Sequence, residues 1–264
     1  MLNRAGIIAA FVGLAVSTGC SVGWSSPTAS VLTVTMRDAE TKGAESVFVQ
    51  TEAGDIELIA TDGPSNVEAH IYAQNQERAD ATRIKSHINS EGQFEVSIDW
   101  PEGGRRDNES CDIVVRMPRM DGVRVRTGAG EIDVKGMAGQ MHLETGAGDV
   151  DVEHHMGSVT ATTSAGDIEI ENVTGNVSAT TRAGDVELER IGGTIEARTS
   201  AGDIDAEMTG PYTGTIVAGT SVGDLRVMGR AYSQKRVTLA IGDGPEISTF
   251  ESTVGDVSVR VTGN

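Results

Sequence analysis

Aromatic residues make up only 3% of this 264-residue chain. Because Phe, Tyr and Trp supply much of the bulk of wide hydrophobic cores, their scarcity argues against a broad barrel or sandwich. The chain has only two cysteines, Cys20 and Cys111, so no disulfide framework is predicted. Acidic residues outnumber basic ones by 39 to 21, and the net charge is −18. Such a surface repels nucleic acid and anionic lipid heads, so no nucleic-acid partner is predicted.

The chain also lacks an apolar run long enough to span a bilayer, for which about 20 residues are needed. Its most apolar stretch, residues 5–16, follows Arg4 and precedes Ser17-Thr18-Gly19. A positive residue, a short apolar core and small residues are typical of an export signal. We therefore predict a signal over residues 1–19 and a tether over residues 20–30, because that segment is small, polar and contains proline.

The four residues that end at Cys20 resemble the lipobox of bacterial lipoproteins. The resemblance implies that Cys20 is lipidated and becomes the mature N-terminus. Ser17 departs from the pattern, since that family usually has an aliphatic residue there. The alternative is ordinary signal cleavage, which would leave Cys20 free to pair with Cys111. Cys111 is otherwise predicted to be a small buried hydrophobe.

One short phrase recurs through the second half of the chain at nearly constant spacing. Its copies are TGAGEIDV at Thr127, TGAGDVDV at Thr145, TSAGDIEI at Thr163, TRAGDVEL at Thr181, TSAGDIDA at Thr199 and TSVGDLRV at Thr220. Four steps are 18 residues and the last is 21. A fixed period of this size is typical of a solenoid, in which each copy buries its apolar face only by stacking on its neighbours.

Within each copy, apolar residues alternate with polar ones, as in strands that have one buried face. Stacking the copies predicts three interior columns. They are Ile132, Val150, Ile168, Val186 and Ile204; Val134, Val152, Ile170, Leu188 and Ala206; and Leu143, Ala161, Ala179, Ala197 and Ala218. We therefore predict an all-β parallel solenoid of about 18-residue coils, with an interior too thin for large side chains.

The same phrase, TEAGDIELI, already occurs at Thr51, 76 residues before Thr127. The solenoid domain is thus predicted to span residues 31–264, with regular coils over residues 121–264. Residues 73–110 interrupt it and are interpreted as an N-terminal cap over the first open edge. Helix-forming residues from Gln74 to Ile88 predict a short helix in that cap.

The T-x-A-G-D-[IV]-x-[IV] phrase, the interrupting segment and the export signal together resemble a bacterial domain-of-unknown-function family labelled "putative adhesin". The resemblance covers about Thr51 to the C-terminus. It implies a parallel β-solenoid, usually right-handed, at the cell envelope, and some relatives are tied to envelope stress. The family has no established catalytic residues, so none is carried over to this chain.

In successive copies an aspartate directly follows the glycine of the A-G-D or V-G-D triplet, which we call the corner glycine. This ladder consists of Asp149, Asp167, Asp185, Asp203 and Asp224. Stacked about 4.8 Å apart, neighbouring carboxylates would repel by roughly 0.9 kcal/mol in water, so the ladder needs compensation. Backbone N–H groups of the turn could supply it as in Asx turns. Bound Ca²⁺ is the alternative, although the G-G-x-G-x-D motif of calcium-binding β-rolls is absent from the printed sequence. No other cofactor is predicted.

A second acidic row faces outward along the same strands. It contains Asp151, Glu169, Glu187 and Asp205, whereas the opposite sheet is predicted to carry mainly hydroxyl groups. One interpretation is a solvated surface that resists aggregation. The other is a docking face for a basic partner, with the hydroxyl rows contacting a glycan.

The G-x-S-x-G match at Gly219 is one more copy of the repeat and lacks the strand-to-helix turn of a nucleophile elbow. We therefore predict a protein that is not an enzyme: an exported, lipid-anchored cell-envelope scaffold that binds an envelope protein or glycan, as an adhesin does. The alternative is an envelope-stress sensor or structural component that acts through a protein partner.

Overall fold

A computed structural model describes residues 30–37, 39 and 41–263. The predicted signal, the lipidation site Cys20 and nearly all of the tether therefore lie outside the described residues. Within those residues there are 22 strands and a single six-residue helix. No helix in the described part of the chain is long and apolar enough to cross a membrane.

The helix, α1, spans Gln76–Ala81. The strands before the regular repeats are β1 (Ser30–Arg37), β2 (Ser46–Thr51), β3 (Ile56–Ala60), β4 (Asn66–Ala73), β5 (Arg83–Ile88), β6 (Gln93–Asp99) and β7 (Ser110–Met117). The central strands are β8 (Asp121–Thr127), β9 (Ile132–Lys135), β10 (Ala138–Thr145), β11 (Val150–Thr162), β12 (Ile168–Val173), β13 (Val177–Thr180), β14 (Val186–Ile191), β15 (Ile195–Ala201) and β16 (Ile204–Thr209). The last are β17 (Gly214–Val222), β18 (Leu225–Val227), β19 (Arg230–Tyr232), β20 (Arg236–Ile241), β21 (Glu246–Val254) and β22 (Val257–Thr262).

The strands form two sheets, named here sheet A and sheet B. Sheet A runs β1-β4-β7-β3-β9-β11-β12-β14-β16-β22-β18-β19. Sheet B runs β5-β6-β2-β8-β10-β11-β13-β15-β21-β17-β20. Strand β11 is long enough to pair in both. We call a strand of sheet B, together with the strand of sheet A that follows it in the chain, a layer.

Pairing is parallel through the middle of both sheets and antiparallel at their ends. The antiparallel partners are β1 and β4, β4 and β7, and β18 and β19 in sheet A, with β5 and β6, and β17 and β20 in sheet B. These hairpin-like strands close the stack at each end. They limit further edge pairing, which an open parallel array would invite.

Through the central layers, each residue pairs with the residue 18 positions away. Val150, for example, pairs with Ile132 on one side and Ile168 on the other. The first two predicted columns are confirmed from Ile132 to Ile204 and from Val134 to Ala206, and their members are buried. The interior is therefore a stack of like residues, because the repeat places the same side chain at each level.

The third column departs from the prediction at its last member. Ala197 pairs with Phe250 rather than with Ala218, and Phe250 in turn pairs with Ala218. The layer β21/β22 thus lies between β15/β16 and β17/β18, although it comes last in the chain. The prediction that stacking order follows chain order was wrong here, since the copy STVGDVSV offers the same register as its neighbours.

The expectation that large side chains would not fit inside was also wrong. Phe94 and Phe250 are both fully buried. Phe250 is accommodated because the residues above and below it are the alanines Ala197 and Ala218, whose small side chains leave the volume that the ring occupies.

The N-terminal end shows the same out-of-order stacking. Layer β2/β3 lies between β6/β7, which come later in the chain, and β8/β9. Residues 73–110 thus contribute to the outer layer at that end. The predicted helix is present only over Gln76–Ala81, where the side chain of Asn75 accepts the Arg78 N–H at 2.9 Å. The rest of the predicted helix is strand β5, because antiparallel pairing with β6 overrides local helix preference.

A buried ion pair holds the loop before β7 against α1. Arg78 Nε donates to Glu109 Oε1 at 2.6 Å, and Arg78 Nη2 donates to Oε2 at 2.8 Å. The Arg78 hydrogen bonds lower the pKa of Glu109 to about 2, although its burial acts in the opposite direction. The pair therefore remains charged inside the end of the stack.

The corner glycines leave no room for a side chain between adjacent layers. Gly184 has a φ of +146°, and a Cβ built on it would lie 2.0 Å from the carbonyl oxygen of Gly166 in the neighbouring layer. The corner therefore requires glycine both for its backbone conformation and for space.

We expect Gly184→Ala to destabilise the protein by more than about 3 kcal/mol, because strain at positive φ adds to a clash with backbone. Gly92→Ala is the matched control. Gly92 also has positive φ (+76°), but an added Cβ would meet nothing within 4 Å. The control should lose only about 1–2 kcal/mol. Urea denaturation measures both, and equal losses would contradict the close-approach explanation.

Candidate functional site

The recurring threonine of the repeat bonds one layer to the next. Thr163 Oγ1 donates to the carbonyl oxygen of Gly148 at 3.0 Å, and Thr181 Oγ1 donates to that of Gly166 at 3.0 Å. The corner glycine then donates its own N–H onward, as Gly166 does to the Ala183 carbonyl at 2.9 Å. The threonine, alanine and glycine of the phrase are thus accounted for by contacts between layers.

The aspartates of the ladder have an equally local task. An Oδ1 atom accepts the backbone N–H of the aspartate in the next layer at Asp149, Asp167, Asp185, Asp203 and Asp256. The bonds run from Asp167 N to Asp149 (2.8 Å), Asp185 N to Asp167 (2.7 Å), Asp203 N to Asp185 (2.7 Å), Asp256 N to Asp203 (2.7 Å) and Asp224 N to Asp256 (2.7 Å). The donors therefore belong to the adjacent layer and not to the residue's own turn, and Asp256 separates Asp203 from Asp224.

The hydrogen bonds of the ladder reduce the number of carboxylate oxygens that are free to bind Ca²⁺. One carboxylate oxygen is already engaged by an amide at Asp149, Asp167, Asp185 and Asp203. Hydrogen bonds to a carboxylate offset the repulsion between neighbours. Among residues 30–37, 39 and 41–263, no group of three or more His, Cys, Asp or Glu side chains is arranged to hold a metal ion.

The outward acidic row is continuous across sheet A. Asp151 pairs with Asp133 and Glu169, Glu169 pairs with Glu187, and Glu187 pairs with Asp205. We call these five residues the acidic face. Beside it runs a second row, Glu153, Glu171 and Glu189. Like carboxylates are thus stacked directly on one another over several layers.

Basic residues neutralise the margins of this surface. Lys135 Nζ lies 3.0 Å from Asp133 and 3.3 Å from Glu153. Arg190 contacts Glu171 at 2.6 Å and Glu189 at 2.7 Å. Further along, Arg260 lies 2.9 Å from Asp205.

The centre of the acidic face has no such compensation. Within the described part of the chain, no basic side chain forms an ion pair with Asp151, Glu169 or Glu187. Partial burial raises the pKa of Asp151 to about 7, assisted by a hydrogen bond to Glu131 and by repulsion from Glu131, Glu169 and Asp133. Burial and the neighbouring glutamates also raise the pKa of Glu169. A pocket of about 130 Å³ opens beside these groups.

Sheet B carries the hydroxyl rows expected of it. Thr160 pairs with Ser178, and Thr162 pairs with Thr180. Toward the C-terminal end these rows continue into charged residues, first Glu196 and Arg198 and then Glu251 and Arg236. Sequence reasoning missed Arg236 as a neighbour of Glu251, because it did not predict the antiparallel return of β20 along β17.

The adjacent residues His154 and His155 lie in different environments. His154 is exposed, at a φ of +56°. His155 is fully buried within β11. Its Nε2 lies 2.9 Å from the Gly139 carbonyl oxygen, and burial lowers the pKa of its imidazole.

Cys111 is buried, and this burial raises its thiol pKa to about 12, so it behaves as a small hydrophobe.

A family model described as Toastrack DUF4097 matches residues 74–260. No curated protein matches the chain.

Three solved structures resemble the chain at a distance. A "putative adhesin" from Bacteroides fragilis NCTC 9343 is 14% identical, with a TM-score of 0.47 over 88% of this chain and 98% of its own. A "putative cell adhesion protein" from Clostridium sporogenes ATCC 15579 is 12% identical, with a TM-score of 0.40 over 88% and 100%. A "putative adhesin" from Parabacteroides merdae ATCC 43184 is 10% identical, with a TM-score of 0.29 over 89% and 96%. These likenesses are too distant to transfer a function.

We expect Asp185→Ala to lower the free energy of unfolding by about 0.5–1.5 kcal/mol, because it removes the acceptor for the Asp203 N–H. Asp185→Asn removes the same charge but keeps a side-chain acceptor, so it should be nearly neutral. Urea denaturation of both variants separates the hydrogen bond from the charge. Equal losses would show that the ladder contributes through charge alone.

The raised pKa of Asp151 predicts a pH dependence of stability. The carboxyl titrates near 3.8 when unfolded and near 7 when folded, so the folded state holds the extra proton between these values. Stability should therefore fall as pH rises through this window, with the loss complete above pH 7.

Asp151→Asn should remove that penalty and raise the melting temperature above pH 7 by about 2–4 °C, a modest gain because solvent screens the half-buried group. Melting curves recorded from pH 4 to 8 test this, with the exposed loop variant Glu102→Gln as control. An unchanged slope in Asp151→Asn would contradict the assignment.

Proposed function

The chain belongs to the Toastrack DUF4097 family, and we propose that it is an exported, lipid-anchored cell-envelope protein that acts as a non-catalytic, adhesin-like binding scaffold. In this proposal the layers are the coils of a right-handed β-solenoid of about 18 residues each, anchored through Cys20. The parallel pairing at 18-residue offsets supports the coil length. A stack of this kind supplies a rigid, extended surface for recognition.

The acidic face is the observation that carries the proposal. Asp151, Glu169 and Glu187 share one strip of sheet A without an ion-pair partner among the described residues, while the margins are neutralised by Lys135, Arg190 and Arg260. Repulsion within the strip is a cost that a cationic partner would relieve. A Lys- or Arg-rich segment of an envelope protein has the required charge.

A non-catalytic role is supported by how the recurring residues are used. The threonine, glycine and aspartate of each copy are engaged in bonds between layers, so the phrase describes the scaffold and does not assemble reacting groups. The acidic face is shallow, and catalysis needs groups that converge on one enclosed point. The same face would serve an envelope-stress component that acts through a protein partner.

Charge reversal at the centre of the acidic face tests the proposal. Glu169→Lys/Glu187→Lys should weaken binding of an oligolysine peptide by about tenfold or more, because two favourable charge contacts become repulsive. The matched control, Glu102→Lys/Glu246→Lys, changes the net charge equally at exposed sites away from the face. Calorimetry measures both affinities, and capture from envelope extracts follows with the same pair. Equal weakening in both variants would refute a specific docking face.

Anchoring is tested separately in cells. Cys20→Ser should move the protein from the membrane fraction to the soluble fraction, because the thiol that would carry the lipid is gone. Cys111→Ser is the control, since its thiol is buried in the folded domain. Fractionation followed by immunoblotting provides the readout. Retention of Cys20→Ser in the membrane fraction would contradict lipidation.

A further inference from the structure

A second surface, on sheet B near the C-terminal end, has the opposite charge. A groove of about 630 Å³ lies where β20 folds back along β17. Four basic side chains line it, together with one acidic side chain: Arg182, Arg198, Lys235, Arg236 and Glu251. We call this the cationic groove. Its strands stack out of chain order: β21, which carries Glu251, lies between β15, which carries Arg198, and β17, which pairs with β20 at Arg236.

Two of the four positive charges in the cationic groove are uncompensated. Glu251 lies 2.8 Å from Arg236 and 3.5 Å from Arg198, and Arg198 also contacts Glu196. By contrast, Arg182 has no acidic partner among the described residues. Lys235 Nζ donates at 2.7 Å to the carbonyl of Gly223, a neutral group that leaves its charge in place. In a chain of net charge −18, this is a local reversal of sign.

Hydroxyl groups border the cationic groove in two rows with different roles. Thr199 and Thr220 are buried and donate to corner carbonyls in the neighbouring layers. The residue after each of them, Ser200 or Ser221, is exposed in the groove, as is Thr253 in the layer between. Within the described residues these three hydroxyls have no protein partner, so each can both donate to and accept from a ligand.

We propose that the cationic groove binds an acidic polysaccharide. Arg182 and Lys235 pair with carboxylate groups of the chain, because charge-assisted hydrogen bonds are the strongest polar contacts available there. Ser200, Ser221 and Thr253 bond the sugar hydroxyls. This inference rests on the proposed role as an envelope binding scaffold and names a ligand class for a surface distinct from the acidic face.

The lining favours a polysaccharide over other polyanions. Single-stranded nucleic acid is bound largely by stacking on aromatic side chains, and none lines the groove. A compact anion such as phosphate needs donors that converge on one point, whereas these charges are distributed along an open groove. An acidic peptide matches the charge but makes little use of the row of free hydroxyls.

Calorimetry with oligogalacturonate as the probe tests the proposal, with neutral dextran, polyglutamate and inorganic phosphate as comparison ligands. Wild-type protein should bind oligogalacturonate in preference to all three. Binding should weaken as salt increases, because the contacts are between charges that solvent can screen.

Arg182→Gln/Lys235→Gln should weaken oligogalacturonate binding by about tenfold, because two charge-assisted contacts are lost. The control, Arg226→Gln/Arg230→Gln, removes two exposed positive charges outside the groove and should bind as wild type does. The single variant Arg182→Gln tests the groove with little risk of misfolding, because Arg182 has no acidic partner among the described residues and the change breaks no ion pair. It should still cause a measurable loss, and melting curves confirm the fold of each variant.

Absence of wild-type binding to oligogalacturonate would overturn this inference, as would equal affinity for polyglutamate or an equal loss in the control. The proposed function is judged independently by oligolysine binding at the acidic face. If the protein binds oligolysine but not oligogalacturonate, only the polysaccharide inference is refuted. If it binds oligogalacturonate but not oligolysine, the acidic docking face is refuted.

Discussion

The close approach of neighbouring layers at their glycine corners is the constraint on which the rest of this structure depends. The backbone of one layer there lies so near the next that a Cβ on Gly184 would be 2.0 Å from a carbonyl oxygen. This proximity allows the threonine hydroxyl and the aspartate carboxylate to reach across layers. The recurring phrase is therefore explained as a set of mutually dependent contacts, each of which needs the same spacing.

The same constraint determines where charge accumulates. Because layers stack with an 18-residue offset, a residue type that recurs in the repeat is placed directly above itself. In the aspartate ladder, amide donors from the next layer offset the repulsion that results. Among the residues that the structure describes, no backbone amide donates to Asp151, Glu169 or Glu187, and the pKa of Asp151 rises instead. The carboxylates of the ladder therefore stabilise the stack, whereas those at the centre of the acidic face are free to bind a partner.

Departures from regular stacking occur at both ends and alter the surface there. At the N-terminal end, layer β2/β3 lies inside β6/β7, and the buried pair Arg78 and Glu109 secures the adjoining loop. At the C-terminal end, β21 lies between β15 and β17 and places Glu251 between Arg198 and Arg236, while β20 returns antiparallel along β17. The regular middle of sheet A thus provides the acidic face, whereas an irregular end of sheet B provides the cationic groove.

The sequence by itself determined the strand period, the inward and outward faces and the columns from Ile132 to Ile204. Residues of the same type at equal spacing can pair in one register. It also located the aspartate ladder and the acidic row, since both follow from that register. Only the tertiary structure decided the order of layers at the ends. Equivalent copies such as those at Thr220 and Ser252 offer the same hydrogen-bonding edge, so local sequence does not distinguish which one stacks on Thr199. The order found in the folded protein puts Phe250 between two alanines, whose small side chains leave room for its ring, and puts Glu251 between Arg198 and Arg236.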